Sequence, residues 1–111
     1  MNSTHAKLLL KGIPASPGLA EGHALVIKDA KDQRKTQGYI LVAPFATPLL
    51  IPAILNSKGI VTDKGGLLCH AAVVAREFGI PCVTGTEDAT SKIEDNMELI
   101  VDGTKGYVYK R

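Results

Sequence analysis

Short apolar runs separated by polar, glycine-rich or proline-rich breaks make up the first half of the chain. Strand-forming residues occupy Lys7–Leu10 and Gly22–Lys28, and the continuous apolar run Tyr39–Ala43 is typical of a strand buried on both faces. The segment at 12–18, GIPASPG, predicts a bent connection because proline and glycine interrupt regular structure. The polar stretch Lys28–Gly38 predicts an exposed loop.

The middle of the chain combines helix and strand signals. Thr47 and Pro48 predict a helix start, since a threonine oxygen can cap free N–H groups and proline suits the first helical position. Pro52 lacks a backbone donor, so we expect an irregular first turn. Short strands are predicted at Gly59–Thr62 and Cys82–Thr84.

Between these two strands, the segment Cys69–Phe78 has helical periodicity. Residues at i, i+3, i+4 and i+7 form one apolar face: Ala71, Val74, Ala75 and Phe78. Gly79 is expected to end the helix, and Pro81 follows it.

The last part of the chain predicts a weak helix over Asp88–Ile93 and a hairpin that joins Glu98–Asp102 to Gly106–Tyr109. Alternating strands and helices in the middle, with hairpins at both ends, predict a mixed sheet covered by helices, of α/β or α+β type. A chain of 111 residues suits a single domain over 1–111 and is too short for two.

Composition and charge exclude several classes of protein. Apolar residues make up 45% and charged residues 22%, as in globular domains. The net charge is only +2 and the basic residues are scattered, so we expect no nucleic-acid partner. No apolar run reaches the roughly 18 residues of a membrane span, and the N-terminal residues lack a secretion-signal pattern. We therefore expect a cytoplasmic protein with no membrane association.

The two cysteines, Cys69 and Cys82, match no metal-ligand spacing. This pattern predicts two free thiols and no metal site in the domain.

The clearest chemical pattern lies in the loop before the Cys69–Phe78 helix. Gly65 and Gly66 permit torsions and close approaches that other residues prevent. The helix that follows presents unpaired N–H groups and the positive end of its dipole, which favour an anion such as phosphate. His70 lies in or near the first turn, and an imidazole is available as an uncharged nucleophile at cellular pH. The residues fit a histidine that is phosphorylated and then donates the group, but they also fit a tight turn beside a capping histidine.

Neighbouring residues each admit two interpretations. Arg76 is interpreted as a solvated or interface cation, or as a contact to a partner's carboxylate or phosphate. Cys69 is a packing or capping residue, or a reactive thiol at a helix start. Three strand-end threonines either edge the pocket or have routine structural roles: Thr62, Thr84 and Thr86.

The segment Gly65–Arg76, GGLLCHAAVVAR, resembles the signature around the phosphorylated histidine of phosphoenolpyruvate-utilising enzymes. That family includes pyruvate phosphate dikinase, phosphoenolpyruvate synthase, enzyme I of the sugar phosphotransferase system and rifampin phosphotransferase. Seven positions match: Gly65, Gly66, His70, Ala71, Ala72, Ala75 and Arg76. The flanking segments GIPASPGLAEG, Gly79–Pro81 and the hairpin glycines near Asp102 are also similar, so the likeness covers about 10–109.

The resemblance implies a compact β/β/α swivelling domain that carries a phosphoryl group on Nε2 of His70 between distant sites. The Gly65–Gly66 loop and the amides of Cys69, Ala71 and Ala72 are expected to hold the phosphate. In the large enzymes of the family these sites lie on the same polypeptide. Because the domain stands alone in this sequence, we expect them on separate chains: an ATP-grasp-type nucleotide-binding subunit, a barrel subunit that binds phosphoenolpyruvate or pyruvate, or both. The domain is expected to bind no cofactor itself, and Mg²⁺ to arrive with the partner's nucleotide or phosphoenolpyruvate.

Two residues depart from the family pattern. Leu68 stands where the family often has a threonine, which is a regulatory phosphorylation site in plant-type dikinases. This leucine is more similar to the rifampin phosphotransferase and synthase-like branch, and it leaves backbone N–H groups as the main stabilisers of a phosphohistidine. Asn96 stands where the family commonly has a turn glycine, and asparagine tolerates the same left-handed torsion.

The function predicted from these observations is a phosphotransferase component, incomplete on its own, in which His70 receives a phosphoryl group from ATP or phosphoenolpyruvate. The alternative is a regulatory or structural binding module that retains the fold without being phosphorylated. A thiol redox protein acting through Cys69 is a weaker third interpretation.

Overall fold

A computed structural model describes residues 6–29 and 31–111. Within these residues the strands are β1 (Lys7–Lys11), β2 (Ile13–Ser16), β3 (Leu19–Val26), β4 (Ile40–Ala43), β5 (Gly59–Thr62), β6 (Cys82–Thr84), β7 (Glu98–Asp102) and β8 (Tyr107–Lys110). The helices are α1 (Ile51–Asn56), α2 (His70–Phe78) and α3 (Ala89–Lys92), and a 3₁₀ turn, Pro48–Leu50, precedes α1. The predicted mixed sheet with helices is confirmed.

The strand order is β1-β8-β7-β3-β4-β5-β6-β2. The four central strands β3 to β6 pair in parallel, and the outer pairs are antiparallel. β1 and β2 are the two outermost strands of this order, yet only Gly12 separates them in the chain. The two edge strands of the sheet are therefore joined directly at this residue. A Cβ atom on Gly12 would lie 2.5 Å from the Thr84 carbonyl oxygen, which explains why the junction is a glycine.

Two apolar clusters sandwich the central strands, as side-chain alternation along β4 shows. Ile40 and Val42 contribute to a cluster with the inward residues of β7 and β8. Leu41 and Ala43 contribute to a second cluster with α1 and the buried alanines of α2. All four side chains are almost fully buried, which confirms the prediction for this strand. The parallel strands therefore form a rigid platform for the loops that follow them.

Most of the predicted elements are confirmed in place. Gly59–Thr62 and Cys82–Thr84 are strands with the predicted bounds, and the hairpin and short third helix are present. Gly79 ends α2 in the left-handed conformation, with φ of 69°. Asn96 has φ of 70°, as expected for the family's turn.

Several predictions differ from the structure. The segment predicted as a bend contains β2, an edge strand in which Pro14 is tolerated because β2 pairs with a single neighbour, β6. β3 begins at Leu19, three residues before the predicted Gly22. Phe78 is 61% exposed, because it ends α2 beyond the part of the helix that packs on the sheet.

Thr47 precedes the 3₁₀ turn as predicted but does not cap it. Its hydroxyl is buried and has no hydrogen-bond partner within the described part of the chain. Pro48 occupies the first position, and the irregular first turn expected from Pro52 is the 3₁₀ turn that precedes α1.

The exposed loop before β4 is held by one cation. Arg34 pairs with Asp32 at 2.7 Å and with Asp95 at 2.6 Å, and it donates to the Val26 carbonyl at 2.8 Å. The side-chain hydrogen bonds of Arg34 lower the pKa of Asp32, and the Val26 N–H together with Arg34 lowers the pKa of Asp95. The pairs are partly exposed to solvent, so their contribution to stability is small.

Candidate functional site

The loop that joins β5 to α2, residues 63–69, is anchored on both sides by backbone hydrogen bonds. The N–H of Asp63 donates to the Ala43 carbonyl at 3.1 Å, next to the end of β4. The N–H of Glu87, after β6, donates to the Asp63 carbonyl at 2.8 Å. Carboxyl ends of parallel strands gather at one edge of a sheet, which is where α/β proteins commonly bind ligands.

The two glycines of this loop differ in what they require. Gly65 has φ of +122°, and a Cβ atom there would lie 2.9 Å from the Cys69 sulfur. Both torsion and space therefore favour glycine at this position. A Cβ atom on Gly66 would meet nothing within 4 Å, so this side of the loop is open.

The N-terminus of α2 is left without a side-chain cap. Cys69 occupies the N-cap position in an extended conformation, makes no side-chain cap bond, and no acidic residue lies in the first turn. The N–H of Val73 makes the first helical bond, to the Cys69 carbonyl at 3.0 Å. Helix geometry therefore leaves the N–H groups of His70, Ala71 and Ala72 without intrahelical acceptors. This end of the helix favours an anion.

His70 is the first residue of α2 and its side chain is exposed. The next two residues, Ala71 and Ala72, are fully buried and fix the helix start against the sheet. On the preceding side, Leu67 is 53% and Leu68 88% exposed. The imidazole is therefore exposed on the surface, close in sequence to two exposed leucines, and it is accessible from solvent.

The three threonines lie beneath the loop. Thr62 donates its hydroxyl to the Lys64 carbonyl at 2.7 Å, and Thr86 donates to the Thr62 carbonyl at 3.0 Å. Thr84 makes a longer contact, 3.4 Å, to the Gly66 carbonyl. All three are buried. They hold the loop backbone in place from below.

The Arg76 side chain is exposed, and its guanidinium is also bonded to two backbone carbonyls. Its Nη1 donates to the Ala15 carbonyl at 2.8 Å and its Nη2 to the Leu67 carbonyl at 2.6 Å. The side chain therefore connects strand β2 to the loop that precedes His70. The Ala15 contact, 61 residues away in sequence, has no local signal.

Asp63 is a residue of this region that sequence reasoning missed. Its buried carboxylate accepts hydrogen bonds from the Thr90 N–H at 2.8 Å and the Thr90 hydroxyl at 2.5 Å, at the start of α3. An acidic residue directly after a buried strand was the only available signal. Its partner, 27 residues further on, could not be read from the sequence.

Both cysteines are free thiols in the structure. Burial raises the pKa of the Cys82 thiol to about 12, and the nearby Cys69 adds to the shift. This makes Cys82 chemically inert at neutral pH. Cys69 is only partly buried and lies against the glycine turn.

Other features of the described residues lie away from His70. A surface cavity of about 490 Å³ lies between the loop 32–37 and α1, and it includes no residue of the His70 loop. The described residues form no cluster of three or more metal-ligating side chains. They also include no helix long and apolar enough to span a membrane.

The fold and site together define a compact α/β domain that presents a histidine at an uncapped helix N-terminus. Residues 35–106 match the model of the PEP-utilising enzyme mobile domain. The chain belongs to this family, which confirms the resemblance of the GGLLCHAAVVAR segment.

Curated relatives of this chain are much longer proteins. Phosphoenolpyruvate synthase of Pyrococcus furiosus is 49% identical over 106 residues, which cover 95% of this chain and 13% of that protein. Rifampicin phosphotransferase of Bacillus cereus is 45% identical over 97 residues, which cover 87% of this chain and 11% of that protein. The chain therefore spans only a small part of the relatives it matches.

Solved structures agree with the fold. The crystal structure of Thermococcus kodakaraensis aconitase X in its holo-form superposes with a TM-score of 0.74 and 23% identity over 92% of this chain and 97% of that one, which shows the fold alone. A solution structure of Enzyme I (nEIt) superposes with a TM-score of 0.60 and 29% identity over 75% of this chain and 34% of that one.

Proposed function

We propose that this chain is a phosphoryl carrier in which His70 accepts a phosphoryl group from a donor bound elsewhere and passes it to an acceptor. The observation that carries the proposal is the exposed imidazole at the uncapped N-terminus of α2. Membership of the mobile domain family supports a role in phosphotransfer.

In the first step, a lone pair on Nε2 of neutral His70 attacks the phosphorus of the donor. The new N–P bond forms while the P–O bond to the leaving group breaks, and the leaving oxygen keeps the electron pair. In the second step an acceptor oxygen attacks the same phosphorus, and the electron pair of the N–P bond returns to the imidazole. Such transfers depend on positioning and charge stabilisation more than on covalent help from the protein.

Three first-turn N–H groups and the glycine loop would stabilise the phosphorylated imidazole. The amides of His70, Ala71 and Ala72 lack intrahelical acceptors, and the helix dipole adds to their effect. Gly66 leaves its side of the loop open for the phosphoryl oxygens. Preorganised donors of this kind commonly contribute a large part of transition-state stabilisation.

The donor and acceptor sites are proposed to lie in other domains or chains, as an ATP-grasp-type unit, a barrel that binds phosphoenolpyruvate or pyruvate, or both. The exposure of His70 supports this, because a reaction centre open to water needs another surface to exclude it during transfer. Mg²⁺ would arrive on the phosphates of the donor, where it usually binds.

The first test uses potassium phosphoramidate, a small donor that modifies histidines without a partner protein. His70 should become phosphorylated at least several times faster than His23, which is exposed but lies on a strand beside Glu98. Mass spectrometry under alkaline conditions would locate the label, which should be acid-labile and base-stable. Equal labelling of the two histidines would contradict the proposal and favour the binding module that is not phosphorylated.

The second test identifies the donor class. Labelled ATP and labelled phosphoenolpyruvate would be supplied in separate reactions with the Pyrococcus furiosus phosphoenolpyruvate synthase whose own mobile-domain histidine has been replaced. Label should enter the parent chain and the His23→Ala variant, and should be absent from His70→Ala. Label retained by His70→Ala would show that the phosphoryl group is carried elsewhere.

A further inference from the structure

We propose that Arg76 is a positioning residue for His70: its guanidinium holds the Leu67 carbonyl and thereby fixes the direction of the Leu68 N–H at the phosphoryl site. This inference rests on the proposed function and assigns a role within the same site to a residue six positions away.

The geometry places the charged end of Arg76 near the N-terminus of α2. Side chains on a helix tilt toward its N-terminus, and arginine is long enough to run back along the surface. The 2.6 Å hydrogen bond to the carbonyl of Leu67, three residues before the helix, shows that the guanidinium reaches this end. The exposed side chain thus connects the middle of α2 with the loop before His70.

The second contact makes the connection rigid. Nη1 of Arg76 donates to the carbonyl of Ala15 at 2.8 Å, and the side chain of Ala15 is almost fully buried. Ala15 lies on β2, whose register places Ser16 opposite Cys82 of β6. The guanidinium is therefore held from the sheet side as well, and the position of the loop is fixed relative to the sheet.

Fixing one carbonyl also fixes the next N–H. A trans peptide group is planar, so a Leu67 carbonyl turned toward Arg76 places the Leu68 N–H on the opposite side. Within the described part of the chain this N–H has no hydrogen-bond acceptor. Without Arg76, rotation about ψ of Leu67 and φ of Leu68 could turn this peptide, because the Arg76 contact is the one hydrogen bond that the described residues make to its carbonyl and N–H groups. Arg76 thus selects one orientation of a donor next to His70.

The guanidinium also brings charge to this end of the helix. It has five N–H donors, of which the two described contacts use one each on Nη1 and Nη2. A cation at this position adds to the helix dipole in favouring a phosphoryl group with roughly two negative charges. Lysine would keep the charge but lose the planar fork that reaches two carbonyls at once.

The informative variant is therefore Arg76→Lys in the full chain, with Arg34→Lys as the matched control. Arg34 is also an exposed arginine that donates to a backbone carbonyl, but it is bonded to Val26, Asp32 and Asp95 and not to the His70 loop. We expect Arg76→Lys to slow phosphorylation of His70 by phosphoramidate roughly tenfold to a hundredfold, which is less than the loss of a preorganised donor costs, because the Leu68 N–H is displaced and not removed. Arg34→Lys should leave the rate unchanged.

A second measurement does not depend on phosphorylation. In ¹H–¹⁵N spectra of the unmodified chain, Arg76→Lys should shift the Leu68 amide resonance and speed its hydrogen exchange, while core amides of β4 remain as in the parent. Arg76→Ala should recover part of its lost phosphorylation rate when millimolar guanidinium is added, which a purely structural role would not produce.

The outcomes separate this inference from the proposed function. The positioning role would be overturned if His70 of Arg76→Lys is phosphorylated at the same rate as His70 of the parent chain. It would also be overturned if the resonance and hydrogen exchange of the Leu68 amide are unchanged in this variant. If every Arg76 variant loses the spectrum of a folded protein and guanidinium does not restore it, Arg76 acts in folding alone. This result would also overturn the positioning role. If His70 of the parent chain is not phosphorylated at all, the proposed function fails, and the Leu68 amide still decides whether Arg76 fixes the loop.

Discussion

The N-termini of α2 and α3 follow adjacent parallel strands but are satisfied in opposite ways. At α3, the buried carboxylate of Asp63 reaches across from the end of β5 and accepts both the N–H and the hydroxyl of Thr90. At α2, the N-cap residue Cys69 makes no side-chain bond and the first turn has no acid. The anion at α3 thus belongs to the chain itself, whereas the described residues supply none to the first turn of α2.

The difference shows how one loop can serve both structure and chemistry. Asp63 begins the loop and ties it to α3, and His70 ends it on an open helix terminus. A carboxylate at the His70 end of the loop would repel a phosphoryl group, because both groups are negatively charged. The bonds of Asp63 to α3 anchor the loop, and the first turn of α2 at its other end carries no acidic residue.

The largest expected effect comes from removing the Asp63 carboxylate, which bonds to the start of α3. Asp63→Ala should lower the free energy of unfolding by about 2–3 kcal/mol, because it removes two hydrogen bonds to a charged group and leaves the Thr90 donors unpaired. Urea unfolding monitored by circular dichroism measures this. Asp88→Ala is the control, since its side chain makes no cap bond and, among the described residues, pairs with exposed Lys92 alone, so its loss should stay below about 1 kcal/mol. Equal losses would show that the Asp63 cap is unimportant.

A second change gives α2 the anion that it lacks. Cys69→Asp places a carboxylate at an N-cap residue that already has extended geometry, so helix stability should be maintained or rise by up to about 1 kcal/mol. Phosphorylation of His70 should fall at least about tenfold, because the new charge fills the site of the incoming phosphoryl group. Cys69→Ser controls for the loss of the thiol. Phosphorylation of Cys69→Asp at the rate of Cys69→Ser would contradict the open-terminus model.

The glycine pair includes the smallest single effect. Gly65→Ala should destabilise the fold by about 1–2 kcal/mol, because φ is +122° and a Cβ atom would clash with the Cys69 sulfur. Gly66→Ala meets open space and should change stability by less than about 0.5 kcal/mol. Thermal unfolding of the two variants measures the difference. Matching transitions would mean that the loop adapts and that Gly65 is not required by geometry.

The sequence predicted best those elements whose signals are local. The run Ile40–Ala43 is apolar throughout because both faces are buried, and Gly79 ends α2 because only a left-handed residue fits there. The periodicity of Cys69–Phe78 likewise placed His70 in or near the first turn of a helix, where the structure has it.

The sequence predicted less well the features that depend on distant partners. β2 contains Pro14 and follows Gly12, so it looks like a turn until its pairing with β6 is known. The contacts of Asp63 with Thr90 and of Arg76 with Ala15 span 27 and 61 residues and leave no periodic pattern. These contacts support the His70 loop, so the position of His70 at a helix start was easier to predict than the contacts that hold the loop.

The pairing of β1 with β8 sets Lys7 directly opposite Lys110. Antiparallel neighbours lie about 5 Å apart, so the start of β1 and the end of β8 lie side by side at one place on the surface of the domain. A domain whose first and last strands are neighbours can be inserted into a loop of another protein with little distortion of that loop.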